Sequence, residues 1–390
     1  MKQFPKDFLW GVSISSYQTE GNNFNSDWYA WEQKGKTKDK SENACDYWNR
    51  FRSDHDFLSE LGVNAFRLSL EWSRIEPEEG KFSDEAIRHY REIIQDLKSR
   101  NIKTVVTFWH YTSPIWFQEK YGFHKKEAIE IFSRYGKKIT DDLGDLIDVA
   151  VIINEPVMPL IFGFLLGKFP PGKINPVSFL QASSNLAESY IEIFKYIKEK
   201  RKNIPVGVSN LYNFFEPKNK RNPIHKLWVW AGKKIWNEHF ISKIKNHMDY
   251  FGLDYYFHNR MGCFGTNNEN KRVTEMGWEI YPEGIYAVLK EINQKYKLPV
   301  YILENGIADS QDKQRSEFIE DHVACVRKAI EDGVDVRGYF YWSLMDNFEW
   351  LHGYRPRFGL IEIDYKTLER KPRRSFYAYK KIIENNGLDE

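Results

Sequence analysis

The sequence predicts an α/β protein built as one (β/α)8 barrel, a TIM barrel, spanning residues 1–390 as a single domain. Three observations predict it. Short apolar runs alternate with amphipathic helical patterns along all 390 residues. No Ser/Gly-rich linker or low-complexity tract divides the chain. Side chains capable of chemistry gather at the C-terminal ends of the apolar runs, where barrel enzymes carry their active sites. A barrel needs roughly 250 residues, which leaves ample chain for loops and extra helices. An open, doubly wound sheet is the alternative. No GxGxxG follows any strand, which weakens its dinucleotide-binding version.

The apolar runs are 9–15, 65–70, 104–110, 149–154, 206–211, 251–256, 300–304 and 337–342. Each is rich in β-branched or aromatic residues and is bounded by turn residues, as strands are. Between them, 47–61 and 84–100 repeat apolar residues at three- and four-residue spacing, and Ser83-Asp84 supplies an N-cap signal. Further helices are expected over 125–143, 178–201, 223–244, 281–296, 312–332 and 373–384.

Composition narrows the function. The formal net charge is +2, with 57 basic residues interspersed among 55 acidic ones. No long-range field for nucleic acid or an anionic membrane follows from it. Two basic stretches stand out. Residues 195–202 read as the solvated last turn of a helix, where cations suit the dipole; residues 218–226 read as a polar loop. Cys45, Cys263 and Cys325 are scattered and odd in number, which fits a reducing compartment without a disulfide framework. The first residues hold no apolar signal core, and no segment is long enough to span a bilayer. The expectation is a cytoplasmic protein without stable membrane anchoring, with homo-oligomerisation left open. Aromatics make up 16% of the chain, 13 of them Trp. Most must serve packing, but flat rings also cover the apolar C–H faces of pyranoses.

The strand ends carry the chemistry. The second strand offers Arg67 and Glu71. The third ends at Trp109-His110, and the fourth at Asn154-Glu155-Pro156. The sixth offers Asp254 and Tyr256, the seventh Glu304-Asn305-Gly306. The eighth offers Trp342, followed by Asp346, Glu349 and Trp350. Glu155 and Glu304 sit at ends four and seven, across the barrel mouth from each other. Glycoside hydrolysis needs such a pair: one carboxyl protonated to push the leaving oxygen, one ionised to attack the anomeric carbon. Either glutamate alone would ordinarily be a surface carboxylate at the start of a loop. Both, however, close fully apolar runs, where an unpaired charge is costly. Taken singly, His110 reads as a satisfied core histidine, Trp342 as barrel packing and Arg67 as a structural ion-pair partner. Their occurrence together at successive strand ends counts against those readings. No HExxH or comparable ligand spacing is present, so no metal and no cofactor are expected.

Several motifs then carry a resemblance. Phe4-Pro5-Lys6-Asp7-Phe8-Leu9-Trp10-Gly11, Tyr17-Gln18-Thr19-Glu20-Gly21, residues 67–77, Asn154-Glu155-Pro156, Leu303-Glu304-Asn305-Gly306, Gly277-Trp278-Glu279-Ile280-Tyr281-Pro282 and residues 341–350 follow one another in order. Over essentially its full length the chain resembles family 1 of the glycoside hydrolases, as a short member of archaeal type. The resemblance implies a retaining β-glycosidase with Glu155 as general acid/base and Glu304 as nucleophile. It implies that Gln18, His110, Asn154, Glu349 and Trp350 bind sugar hydroxyls, with Trp342 as a platform under the ring. Phe358 would line the hydroxymethyl end. Arg67 and Tyr256 would contact Glu304 and keep it ionised. The partners implied are small β-glycosides or oligosaccharides. A transglycosylase using the same residues, or a sugar-binding protein without catalysis, are the competing readings; the second expects loss of one glutamate, and both are present.

The chain also departs from the family pattern. It is compact, so the leaving-group side of the site is poorly carried over. Tyr111-Thr112-Ser113-Pro114 stands where many members have Trp-Asp-x-Pro. Leu303 stands where Thr is commoner. Asp254 replaces the usual Asn, and an ionised Asp254 would raise the nearby carboxylates. Members acting on 6-phosphorylated sugars carry Ser in place of Glu349; its retention points to unphosphorylated glycosides.

Overall fold

The computed structural model describes residues 3–388. Eight strands close into a parallel barrel: β1 (Leu9–Ser13), β2 (Ala65–Ser69), β3 (Lys103–Trp109), β4 (Val149–Asn154), β5 (Val206–Leu211), β6 (Phe251–Asp254), β7 (Val300–Asn305) and β8 (Val336–Trp342). Neighbours in sequence are neighbours in the sheet, and β1 pairs with β8 to close it. Helices α1 (Tyr47–Leu61), α2 (Asp84–Ser99), α3 (Ala128–Leu143), α4 (Pro176–Lys200), α5 (Pro223–Gly232), α6 (Pro282–Tyr296), α7 (Arg315–Glu331) and α8 (Arg374–Glu384) separate and follow the strands. The strand–helix alternation expected from the sequence is therefore present, and with it the barrel.

Side-chain alternation explains how the strands are filled. Leu9, Ala65, Val105, Val149, Val151, Leu303 and Phe340 form a core of their own. The intervening residues, Val12, Phe66, Val106, Ile152 and Ile302 among them, join a larger core with the helices. Gly11 shows how tight the first of these is: a Cβ there would lie 2.4 Å from the Phe340 ring.

Boundaries moved for physical reasons. Ser83 caps α2 as expected, accepting from the Ala86 N–H at 3.1 Å. The helix expected over 223–244 ends at Gly232. A π turn follows at Lys233–Glu238 and a short helix at Ile241–Ile244. Buried Asn237 sits in that π turn. Its amide donates to the Asn213 carbonyl at 2.9 Å and its oxygen accepts from the Asn213 N–H at 3.0 Å. The wider turn sets this side chain against the loop after β5, at the cost of helical regularity. Tyr256 lies two residues past the end of β6.

Several small elements decorate the C-terminal end of the barrel. Phe214–Pro217, His258–Gly262 and Gly265–Thr266 form a three-stranded sheet after β5 and β6. Ile361–Ile363 and Arg370–Pro372 pair after β8. Among the described residues, no helix is long and apolar enough to cross a membrane.

Candidate active site

The C-terminal ends of the strands enclose a cavity of about 430 Å³. Gln18, His110, Glu155, Tyr256, Glu304, Trp342, Glu349, Trp350 and Phe358 all line it. Asn154 and Arg67 stand behind that lining. Parallel register brings them together: Asn154 is level with Ser209 on β5, and Glu304 with Asp254 on β6.

Arg67 organises the floor. It is fully buried on β2. Its guanidinium donates to Glu304 Oε1 at 2.5 Å, to the Leu303 carbonyl at 3.3 Å and to Thr107 at 3.2 Å, and it also bonds the Asn154 side-chain oxygen. The Tyr256 hydroxyl donates to Glu304 Oε2 at 3.0 Å. Both oxygens of Glu304 are thus held, one by Arg67 and one by Tyr256. The Asn154 amide meets His110 Nε2 at 3.2 Å.

Glu155 has no cation of its own. Its contact is the Tyr111 hydroxyl, which bonds Oε2. Glu155 and Tyr111 both have left-handed backbone, at φ 40° and 74°. For residues with a Cβ that conformation costs of order 1 kcal/mol or more and must be held by the surroundings. One carboxylate oxygen from each of Glu155, Asp254 and Glu304 lies within 4.8 Å of the others.

Electrostatics separates the two glutamates. Burial raises the Glu304 carboxyl, opposed by the Arg67 charge and by hydrogen bonds from Arg67 and Tyr256. Burial and then the charge of Glu304 push Glu155 up to about 8, against the Tyr111 bond and the Arg67 charge. Glu304 therefore ionises first, and its charge keeps the proton on Glu155.

Asp254 stands beside this pair. It is fully buried, and the Ser209 hydroxyl lies 2.7 Å from both its oxygens. Burial, and next the Glu304 charge, raise its carboxyl well above the usual range, with Glu155 adding to the effect. A protonated Asp254 is the neutral counterpart of the Asn common in the family. Asp346, one of the polar residues after the eighth strand, serves the fold. It lies outside the cavity lining and is bound by Arg373 at 3.0 and 2.9 Å, Arg357 at 3.1 Å and the Gly359 N–H at 2.9 Å.

The polar wall of the cavity has unmet hydrogen-bonding capacity. Buried His110 Nδ1 and Glu349 Oε1 have no hydrogen-bond partner among the described residues. Burial, then the Arg67 charge, holds the His110 imidazole well below its usual range, so it is neutral. Burial pushes Glu349 up to about 8, opposed by a bond from Trp342. Gln18 keeps one acceptor site: its oxygen accepts a single bond, from Ser15 at 2.6 Å, while its amide donates to Asn347 at 3.0 Å and to the Phe348 carbonyl at 2.9 Å. Trp342 and Trp350 both stack on His110, with ring centroids 6.0 and 6.1 Å away. Phe358 packs with Trp342, Trp278 and Tyr256.

Sequence reasoning missed several lining residues. Tyr111 was noted only as a departure from pattern, yet it holds Glu155. Met158, Phe162 and Phe169 come from the helix Val157–Phe164 and the loop after it. An apolar helix directly after Glu155 was the available signal. Trp278 was quoted in a motif without a role.

Comparisons with known proteins agree with this geometry. The chain matches the model of glycosyl hydrolase family 1 over residues 1–241 and 232–388. It is 32% identical to β-glucosidase A of Thermotoga maritima, covering 100% of each chain. It is 28% identical to a β-galactosidase of Sulfolobus acidocaldarius, covering 100% of this chain and 97% of the relative. The structure of a β-glycosidase from Pyrococcus horikoshii superposes with a TM-score of 0.93 at 37% identity, covering 100% of this chain and 96% of the other.

Proposed function

The chain belongs to glycosyl hydrolase family 1 and is a glycoside hydrolase, and on that premise we propose that it hydrolyses terminal, unphosphorylated β-D-glycosides with retention, through a covalent glycosyl-enzyme. The glycone is a glucoside, galactoside, mannoside or fucoside. Glu304 is the nucleophile and Glu155 the general acid, then base. The carrying observation is that one oxygen of each carboxyl lies within 4.8 Å of the other, with Arg67 and Tyr256 bonded to Glu304 while burial and the Glu304 charge push Glu155 up to about 8. Retaining enzymes hold the pair about 5–5.5 Å apart, whereas inverting ones need about 6.5–9.5 Å to admit water.

The double displacement follows from the geometry. Glu304, ionised and oriented by Arg67 and Tyr256, attacks the anomeric carbon. Glu155 gives its proton to the departing oxygen. Transfer of the sugar to Glu304 removes the negative charge that raised Glu155, so its proton affinity falls. It then takes a proton from water, which attacks the glycosyl ester. Glu349, His110, Asn154, Gln18 and Trp350 bind the sugar hydroxyls, Trp342 underlies the ring, and Phe358 borders the hydroxymethyl group. No Lys or Arg lines the cavity among the described residues, which disfavours a 6-phosphate. The whole chain acts as one catalytic domain in the cytoplasm, on small β-glycosides or oligosaccharides, without nucleic acid.

Replacing Glu304 by Gly tests the assignment. Hydrolysis of aryl β-glycosides should fall by several orders of magnitude, and azide should restore turnover as the α-glycosyl azide, because the small anion occupies the space of the lost carboxylate. A rescued product of β configuration would remove Glu304 from the role.

A further inference from the structure

Apolar surface is concentrated on one extension of the barrel. Helix α5 already uses one side for the fold: His225 is buried, and Gly232 lies against the Phe215 ring. Trp236, just beyond it, packs onto the main core. Yet Ile224, Leu227, Trp228 and Ala231 recur at three- and four-residue spacing on another side, and Ile235 follows a turn later. Ile224 is 50% exposed, Leu227 60%, Trp228 45% and Ile235 48%. The tip of the 258–266 hairpin adds fully exposed Phe264. Trp228 fixes that tip beside the helix, its indole N–H donating to the Cys263 carbonyl at 3.2 Å.

Cations border it. Lys218, Lys220, Arg221 and Lys226 are exposed, and none has a carboxylate partner among the described residues. Further along, Lys233 and Lys234 are neutralised by Glu291 and Glu238. Positive charge is therefore left uncompensated only where the helix begins, next to Ile224, Leu227 and Trp228.

We propose that α5, the 218–226 segment and the Phe264 tip form a peripheral docking surface for an anionic lipid bilayer. Leu, Phe and Trp side chains on one face suit the boundary between headgroups and acyl chains, and adjacent Lys and Arg suit lipid phosphates. Exposed apolar patches of this kind mark protein or membrane contacts. A second copy of the chain fits less well. A two-fold pairing would bring the same four cations of each copy close together, with no free carboxylate in the patch to answer them. The extension rises from the C-terminal ends of β5 and β6, the end of the barrel that holds the cavity.

Sedimentation of the full-length protein with vesicles tests this. Vesicles of phosphatidylcholine and phosphatidylglycerol should retain the protein at low salt, pure phosphatidylcholine much less, and added salt should release it. Trp228→Glu combined with Phe264→Glu should abolish retention. Replacing Lys218, Lys220, Arg221 and Lys226 by Gln should weaken it about fivefold for each cation removed. Both variants should keep wild-type hydrolysis of a soluble aryl glycoside, which establishes that they fold. No retention by the mixed vesicles, or retention of either variant equal to that of the unmodified protein, would overturn the proposal. So would a solution dimer that Leu227→Glu dissociates.

Discussion

Glu155 and Glu304 are the same residue type placed in different fields. Arg67 and Tyr256 hold one; among the described residues, the Tyr111 hydroxyl alone holds the other. On the proposed assignment kcat/KM should fall as pH rises through about 8, because Glu155 loses the proton it must donate. Tyr111 lowers Glu155 by donating to its charged form. Tyr111→Phe should therefore move the alkaline limb to higher pH and leave the acidic limb, set by Glu304, in place. A pH profile of kcat/KM for both proteins checks it, and an alkaline limb that stays put would mean Tyr111 does not tune Glu155. The raised Asp254 carboxyl belongs to the same logic: in a floor with one guanidinium and three carboxyls, Arg67 bonds Glu304 directly.

The elements were legible where their pattern was long and their ends carried caps or apolar runs. Val149–Asn154 and Val206–Leu211 fall where the period and turn residues set them, and α2 begins at its Ser83 cap. The glutamates were legible too, because a charge closing a buried apolar strand is unusual. The two-residue strand Gly265–Thr266 and the π turn were not, since neither has enough residues to express a period and both depend on partners distant in sequence. Tyr111 was hidden for the same reason: its partner lies on another strand end. Asp346 was left without a role because a buried carboxylate after a strand looks alike whether it faces a substrate or arginines. Its place in the fold is to tie the loop bearing Glu349 and Trp350 to Arg373 at the start of α8. Asp346→Ala leaves Arg373 buried without its partner and should cost about 3–5 kcal/mol of stability. Urea denaturation measures it; a loss below about 1 kcal/mol would mean the network is dispensable.

At the scale of the molecule, averages concealed local organisation. A net charge of +2 says nothing of four free cations beside an exposed aromatic stripe. Nor does the Trp count distinguish Trp342 and Trp350 in the cavity from Trp228 on the surface. The barrel reconciles these regions by keeping chemistry at its C-terminal strand ends and letting the segments between strands vary. Its central consequence is stereochemical. On the proposed assignment the short separation of Glu155 and Glu304 routes the sugar through Glu304. Following an aryl β-glycoside by proton NMR during the first turnovers tests this most directly. The β-anomer of the free sugar should appear first and the α-anomer only later, by mutarotation. Appearance of the α-anomer first would contradict the account.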